Sequence, residues 1–152
     1  MKYKNINYQT VDFSPETNTV LLIEQNLLPF EFKIVESKTC EETCLHIEKM
    51  TVRGAGAIGG AAALAMAQAA VEATPVNYLA SIATAKKRIE STRPTAQNLF
   101  AATNFVYRAA LISKEKAVEA AIDFCNADAE ACKQIGLFGN ELIPEKANIE
   151  TH

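Results

Sequence analysis

Two arginines stand where the chain is expected to turn into a helix. Arg53 precedes a run of small residues, 54–59 (GAGAIG). A glycine-containing turn that opens a helix leaves backbone N–H groups unpartnered at the positive end of the helix dipole. Gly54 and Ala55 supply such groups, and Arg53 adds a full charge beside them. The chemistry is anion binding. A comparable arrangement is expected at residues 92–95 (TRPT). Pro94 forces Arg93 out of the helical region and is itself suited to the first helical position. Arg93 is therefore also expected at a helix N-terminus, beside two threonine hydroxyls, and two such sites can converge on one phosphate. The same residues allow a second reading, in which each arginine pairs with a surface carboxylate. Residue types alone leave both readings open.

Residues 54–59 also satisfy G-x-G-x-x-G, the dinucleotide pattern. That pattern works only after a strand, and with an acidic residue about 20 positions further on. A helix is expected before this loop, and residues 76–80 (VNYLA) carry no acid, so the dinucleotide reading is set aside. The four cysteines come as Cys40 with Cys44 and Cys125 with Cys132. Spacings of one and two helical turns let each pair share a face. Zinc sites use C-x-x-C pairs, or a cysteine pair with a histidine pair. Neither spacing occurs, and His46 falls on another face than Cys44. The expectation is buried cysteines acting as small hydrophobes, with no metal.

Helices must open from both loops, and the chain supplies them. Residues 19–24 and 31–36 are rich in Val, Leu, Ile and Phe and read as strands, joined by a hairpin connection through Pro29. Thr39 with Glu42 three residues on is a capping-box pattern that opens a helix to about Met50. A second helix, 57–73, is about half alanine and is expected at the centre. A third is expected to be capped by Asn77, with Leu79, Ile82 and Ile89 inward, and Ser113 is expected to cap the fifth. The fourth spans 94–112. The fifth runs from 114 to about 138, with a break near 126–128 and Gly136 and Gly139 marking its end. The fold class is α+β: a small N-terminal antiparallel β-sheet over residues 1–36, then a bundle of about five helices over 37–152. At 49% hydrophobic and 22% charged residues, the chain can bury a real core. The apolar run 55–67 is mostly alanine and glycine, weaker than a membrane span, and residues 1–5 (MKYKN) lead into no signal sequence. A net charge of −3 without a basic stripe argues against nucleic acid as partner. A soluble, cytoplasmic protein is expected.

Four segments carry a resemblance. Residues 27–31 (LLPFE) resemble a Leu-Pro-Phe turn. Residues 50–59 (MTVRGAGAIG) resemble an M-V-V-R-G-A-P-A-I-G loop, and residues 92–99 (TRPTAQNL) a T-R-P-T-A-V-N-L helix start. Ile135, Gly136, Gly139, Leu142 and Ile143 fit an I-G-x-x-G-x-x-L-I ending. Together and in this order they resemble the N-terminal half of the methylthioribose-1-phosphate isomerase family. The wider group includes ribose-1,5-bisphosphate isomerase and the regulatory subunits of initiation factor 2B. The resemblance implies an aldose–ketose isomerisation of a ribose 1-phosphate in methionine salvage, with no cofactor, by a dimeric protein. It also implies that Arg53, Gly54, Ala55 and Arg93 hold the substrate phosphate.

Two departures qualify what carries over. Gly56 replaces the proline of the isomerase loop and is similar to the ribose-1,5-bisphosphate branch; a glycine there leaves the loop less pre-organised. The family's catalytic cysteine and aspartate lie in a C-terminal half, the cysteine after a T-H pair, and this chain ends at Thr151-His152. Residues 147–152 also head toward an extended segment, as though a further polypeptide completes them. The expected function is one piece of an isomerase whose complementary half supplies the proton transfers. The alternatives are a ribose-1,5-bisphosphate isomerase half, a regulatory module working through protein contacts, and an inactive fragment.

Overall fold

A computed structural model describes residues 2–150, so the Thr151-His152 pair lies outside the described residues. The N-terminal third is extended, as its β-branched content predicts, but it forms two sheets rather than one. Strands β1 (Lys2–Tyr3) and β2 (Ile6–Asn7) make a two-stranded antiparallel ribbon, turned by Lys4 and Asn5 at φ 46° and 67°. Strands β3 (Val11–Ser14), β4 (Thr19–Ile23) and β5 (Ile34–Ser37) form an antiparallel sheet in that order. Its register sets Val11 opposite Leu22 and Val20 opposite Ser37. The expected hairpin is therefore β4–β5, with β5 starting three residues later than the pattern predicts. Its connection, residues 24–33, contains a cis Leu28–Pro29 peptide.

Five α-helices follow: α1 (Cys40–Glu48), α2 (Ala55–Glu72), α3 (Tyr78–Thr92), α4 (Gln97–Ala110) and α5 (Lys114–Asn140). The Thr39 hydroxyl accepts from Glu42 N at 3.2 Å. The return arm of the capping box falls one residue early, with Lys38 N donating to Glu42 Oε2 at 2.6 Å. Helix α2 is the axis of the molecule. Every residue from 58 through 70 is buried, and α1, α3, α4, α5, β3 and β4 all pack on it. Alanine and glycine on every face allow that approach, because no large side chain holds a neighbour away. By length and composition α2 is apolar enough to cross a membrane, contrary to the weaker reading above. Here 72% of it is buried inside the protein.

Gln68 is the polar side chain in the buried stretch of α2. Its Nε2 donates to the carbonyls of Asn18 and Ser37, each at 2.9 Å, and its Oε1 accepts from the Thr43 hydroxyl at 2.6 Å. The Ser37 and Thr43 hydroxyls also meet at 2.6 Å. One amide thus links α2 to the sheet and to α1. Val11, Val20 and Leu22 belong to the same hydrophobic cluster as the helices.

Four expectations change. Helix α4 begins at Gln97 rather than at Pro94, since Ala96 N donates to Arg93 O at 3.0 Å and closes a turn there. A proline suits the second position of such a turn as well as it suits a helix start. Helix α5 is unbroken across residues 126–128, and Gly136 and Gly139 lie within it. Leu79 is 61% exposed, and Tyr78 takes the inward place on α3, its hydroxyl donating to Ala110 O at 2.9 Å. Residues 147–150 form no strand.

Candidate functional site

The N-terminus of α2 is built from backbone. Gly54 is its N-cap residue, at φ 84° and ψ 148°. A side chain rarely adopts that conformation, so glycine is needed here. With no side chain at the cap, the first helical bond is Ile58 N to Gly54 O at 3.0 Å. The N–H groups of the preceding turn, beginning at Ala55, are left for an outside acceptor. Arg53, Gly54 and Ala55 are all exposed.

Arg53 is held from one side. Its backbone N–H donates to Gln25 Oε1, and its Nη2 donates to Asn26 Oδ1. Both acceptors are neutral amides. Among the described residues no carboxylate pairs with Arg53 or Arg93. The arginine that follows the carboxylate reading is Arg88, which bonds Glu41 and Glu48, each at 2.6 Å. Those two hydrogen bonds hold its guanidinium above the ordinary arginine range, and the bond to Arg88 holds Glu41 below the ordinary carboxylate range.

Arg93 is not at a helix N-terminus, and this corrects the expectation from sequence. It lies outside the helical region, at φ −144° and ψ 78°, as Pro94 requires. It is, however, the C-cap of α3, four positions before α4 begins. The negative end of the α3 dipole faces it, so its own positive charge is what remains for an anion. Half-buried, its guanidinium makes no hydrogen bond among the described residues. The starts of α2 and α4 do come together: a methyl at Gly59 would lie 3.3 Å from Asn98 O.

A carboxylate intrudes on the same helix start. A methyl group at Gly56 would lie 2.5 Å from Asp128 Oδ2, so α5 presents Asp128 directly against the first turn of α2. Beside it is a cleft of about 240 Å³, with Gly56, Asp128, Cys125, Cys132, Tyr8 and Gln9 in its wall. Neither arginine lines that cleft. Sequence reasoning missed Gln25, Asn26 and Asp128. The only local sign of the first two was a polar pair ending an apolar strand.

The cysteines divide. Cys40 and Cys44 are buried on one face of α1, as expected. The hydrogen bond between their thiols, and then burial, push Cys40 far up. Cys125 is half-buried and pushed up to about 12 by burial, its thiol donating to Gly60 O at 3.7 Å. Cys132 is exposed, which overturns the expectation for that residue. No group of three histidine, cysteine or acidic side chains suited to a metal occurs among the described residues.

A model of the initiation factor 2 subunit family matches residues 51–152. The methylthioribose-1-phosphate isomerase of Acetivibrio thermocellus is 41% identical over 142 residues, covering 86% of this chain and 42% of the relative. That of Carboxydothermus hydrogenoformans is 38% identical, covering 89% and 42%. The crystal structure of 5-methylthioribose 1-phosphate isomerase from Pyrococcus horikoshii superposes with a TM-score of 0.84 at 34% identity, over 91% of this chain and 42% of that one. The delta subunit of translation initiation factor eIF-2B from A. fulgidus gives 0.76 at 30% identity, over 90% and 42%. The chain thus spans less than half the length of the relatives it matches. Carrying the family's segments in order on a fold that superposes with both kinds of relative, the chain belongs to the initiation factor 2 subunit family.

Proposed function

We propose that this chain is the phosphate-binding half of a sugar-phosphate isomerase acting on 5-methylthioribose 1-phosphate, in the cytoplasm and in methionine salvage. The observation that carries the reading is the uncapped start of α2, flanked by an arginine whose side-chain partner is a neutral amide. Arg53, Gly54 and Ala55 hold the phosphate there, and Arg93 adds its charge from the end of α3. The proton transfers that convert aldose to ketose belong to a complementary half, and the complete protein works as a dimer without a cofactor. The names of the relatives support the substrate, and the four free thiols suit a reducing compartment.

Two observations favour neighbouring readings. Gly56 in place of the isomerase proline favours ribose 1,5-bisphosphate as the substrate. The likeness to the eIF-2B delta subunit favours a regulatory module. A phosphate titration separates the classes. Inorganic phosphate and 5-methylthioribose 1-phosphate are titrated against the chain, and Arg53→Ala is expected to weaken both by roughly tenfold, the loss of a charge-assisted contact. No binding by the unaltered chain would favour the regulatory module. Equal binding by the variant would remove Arg53 from the site.

A further inference from the structure

Arg53 is a long, exposed side chain, and an anion that must first order such a chain loses affinity to its rotamer entropy. In this molecule the ordering is already done. We infer that Gln25 and Asn26, in the connection after β4, are positioning residues for the phosphate loop, holding Arg53 in place with neutral acceptors. The inference rests on the reading of Arg53 as a phosphate ligand.

The geometry is a chain of hydrogen bonds running from the sheet to the loop. Gln25 N donates to Thr51 O at 2.9 Å, which docks the connection against the segment that leads into Arg53. The Gln25 side chain then accepts from Arg53 N, fixing the backbone immediately before Gly54 turns to positive φ. Asn26 holds the other end of the residue, its Oδ1 accepting from Arg53 Nη2.

The orientation of the Asn26 amide is itself determined. Its Nδ2 donates to Glu24 Oε1 at 2.8 Å and to Lys49 O at 3.4 Å. Both are acceptors only, so the amide nitrogen must face them and the oxygen must face Arg53. Glu24 is fixed in turn. Its Oε1 also accepts from Asn26 N at 3.1 Å, and its Oε2 accepts from the Thr51 hydroxyl at 3.3 Å. Thr51 is 2% exposed and meets His46 Nδ1 at 3.1 Å. The Glu24 carboxylate therefore orients Asn26, and Asn26 orients Arg53.

Neutral acceptors matter as much as their positions. A carboxylate at residue 26 would neutralise the guanidinium, and its second oxygen would face Glu24 Oε1 and Lys49 O, neither of which can donate to it. An amide oxygen orients the fork while its charge stays available to a dianion.

The test is a double-mutant cycle on the full chain, with inorganic phosphate as the titrant and affinity read by NMR. Asn26→Ala and Gln25→Ala are each expected to weaken phosphate about fivefold, and Asn26→Asp by more, as the guanidinium is neutralised. In an Arg53→Ala background Asn26→Ala is expected to change nothing, because its effect runs through the guanidinium, whereas Gln25→Ala should still weaken phosphate, because Gln25 holds a backbone N–H that alanine keeps. Asn26 is exposed, so Asn26→Ala should melt within about 2 °C of the parent; Gln25→Ala gives a second, independent reading. If Arg53→Ala weakens phosphate but neither Asn26→Ala nor Gln25→Ala does, the positioning role is overturned while the phosphate ligand stands. The role of Asn26 is likewise overturned if Asn26→Ala weakens phosphate equally with and without the Arg53 side chain. If Arg53→Ala leaves phosphate unchanged, the ligand reading fails and the positioning role fails with it.

Discussion

Asp128 reaches the start of α2 from another helix, and its charge has the wrong sign for the phosphate proposed to bind there. With its carboxylate oxygen 2.5 Å from where a Gly56 methyl would sit, it shares the positive end of the dipole with any bound anion. Asp128→Asn keeps the shape and removes the charge. The expected result is phosphate binding about threefold tighter at low salt, with the gain fading as salt rises, since like charges near a surface repel weakly and are screened. A titration of the parent and the variant at two salt concentrations checks it. Equal affinities at low salt would show that this carboxylate does not oppose the anion. At this scale the sequence disclosed what lies within a few residues of the loop. Arg53, Gly54 and Ala55 are contiguous, and the φ of 84° at Gly54 is what a glycine before a helix allows. Asp128 and Asn26 escaped because nothing local marks them. Their roles come from contacts across 72 and 27 positions of chain, which only the packed fold creates.

Helix α2 carries the site at one end and the core along the rest, so its internal polar group bears on both. Gln68 satisfies two carbonyls and one hydroxyl where no water reaches. Gln68→Leu keeps the volume but leaves the carbonyls of Asn18 and Ser37 without that donor and the Thr43 hydroxyl without that acceptor. The expected loss is about 2–4 kcal/mol, read by urea unfolding, because each abandoned buried polar group costs its desolvation. A loss under about 0.5 kcal/mol, the range of surface substitutions, would show that the network is not structural. Among elements, the helices were legible wherever a cap or a composition marked them. Thr39 and Ser113 each accept from the N–H three residues on, as their types predict, whereas Asn77 stands at the N-cap of α3 without a side-chain bond. Pro94 misled, because a proline after an extended residue begins a turn as readily as a helix, and only the Ala96 N to Arg93 O bond distinguishes them. Asn126, Ala127 and Asp128 suggested a break that α5 does not make. Two weak helix formers, Asn126 and Asp128, are outweighed when the preceding turns pack on α2 and α4.

Across the whole molecule, apolar surface is distributed unevenly. Helix α5 buries Ala117 and Ala121, and no residue after Ala121 in that helix is buried. Its later turns and the segment beyond expose Ile135 at 71%, Phe138 at 67% and Leu142 at 84%. Ile135 and Phe138, three positions apart, lie along one side of α5, and Leu142 follows in the turn beyond its end, as in an apolar face awaiting a partner. The relatives are more than twice as long as this chain's match to them, so their remaining polypeptide is the occupant we propose for that face. The family segment containing Ile135 and Leu142 was legible in sequence, but its exposure was not, since a pattern of apolar residues reads the same whether its partner lies within the chain or outside it. Replacing Ile135, Phe138 and Leu142 together by serine should leave the unfolding midpoint within about 2 °C of the parent, because side chains already in water lose little on truncation. The same triple variant should fail to assemble with the C-terminal portion of the Acetivibrio thermocellus isomerase, which the parent chain is expected to bind in size-exclusion chromatography with light scattering. Assembly by the variant as strong as the parent's would place the complementary half elsewhere on the surface. A large drop in midpoint without it would mean that α5 already uses this face to hold the chain's own fold.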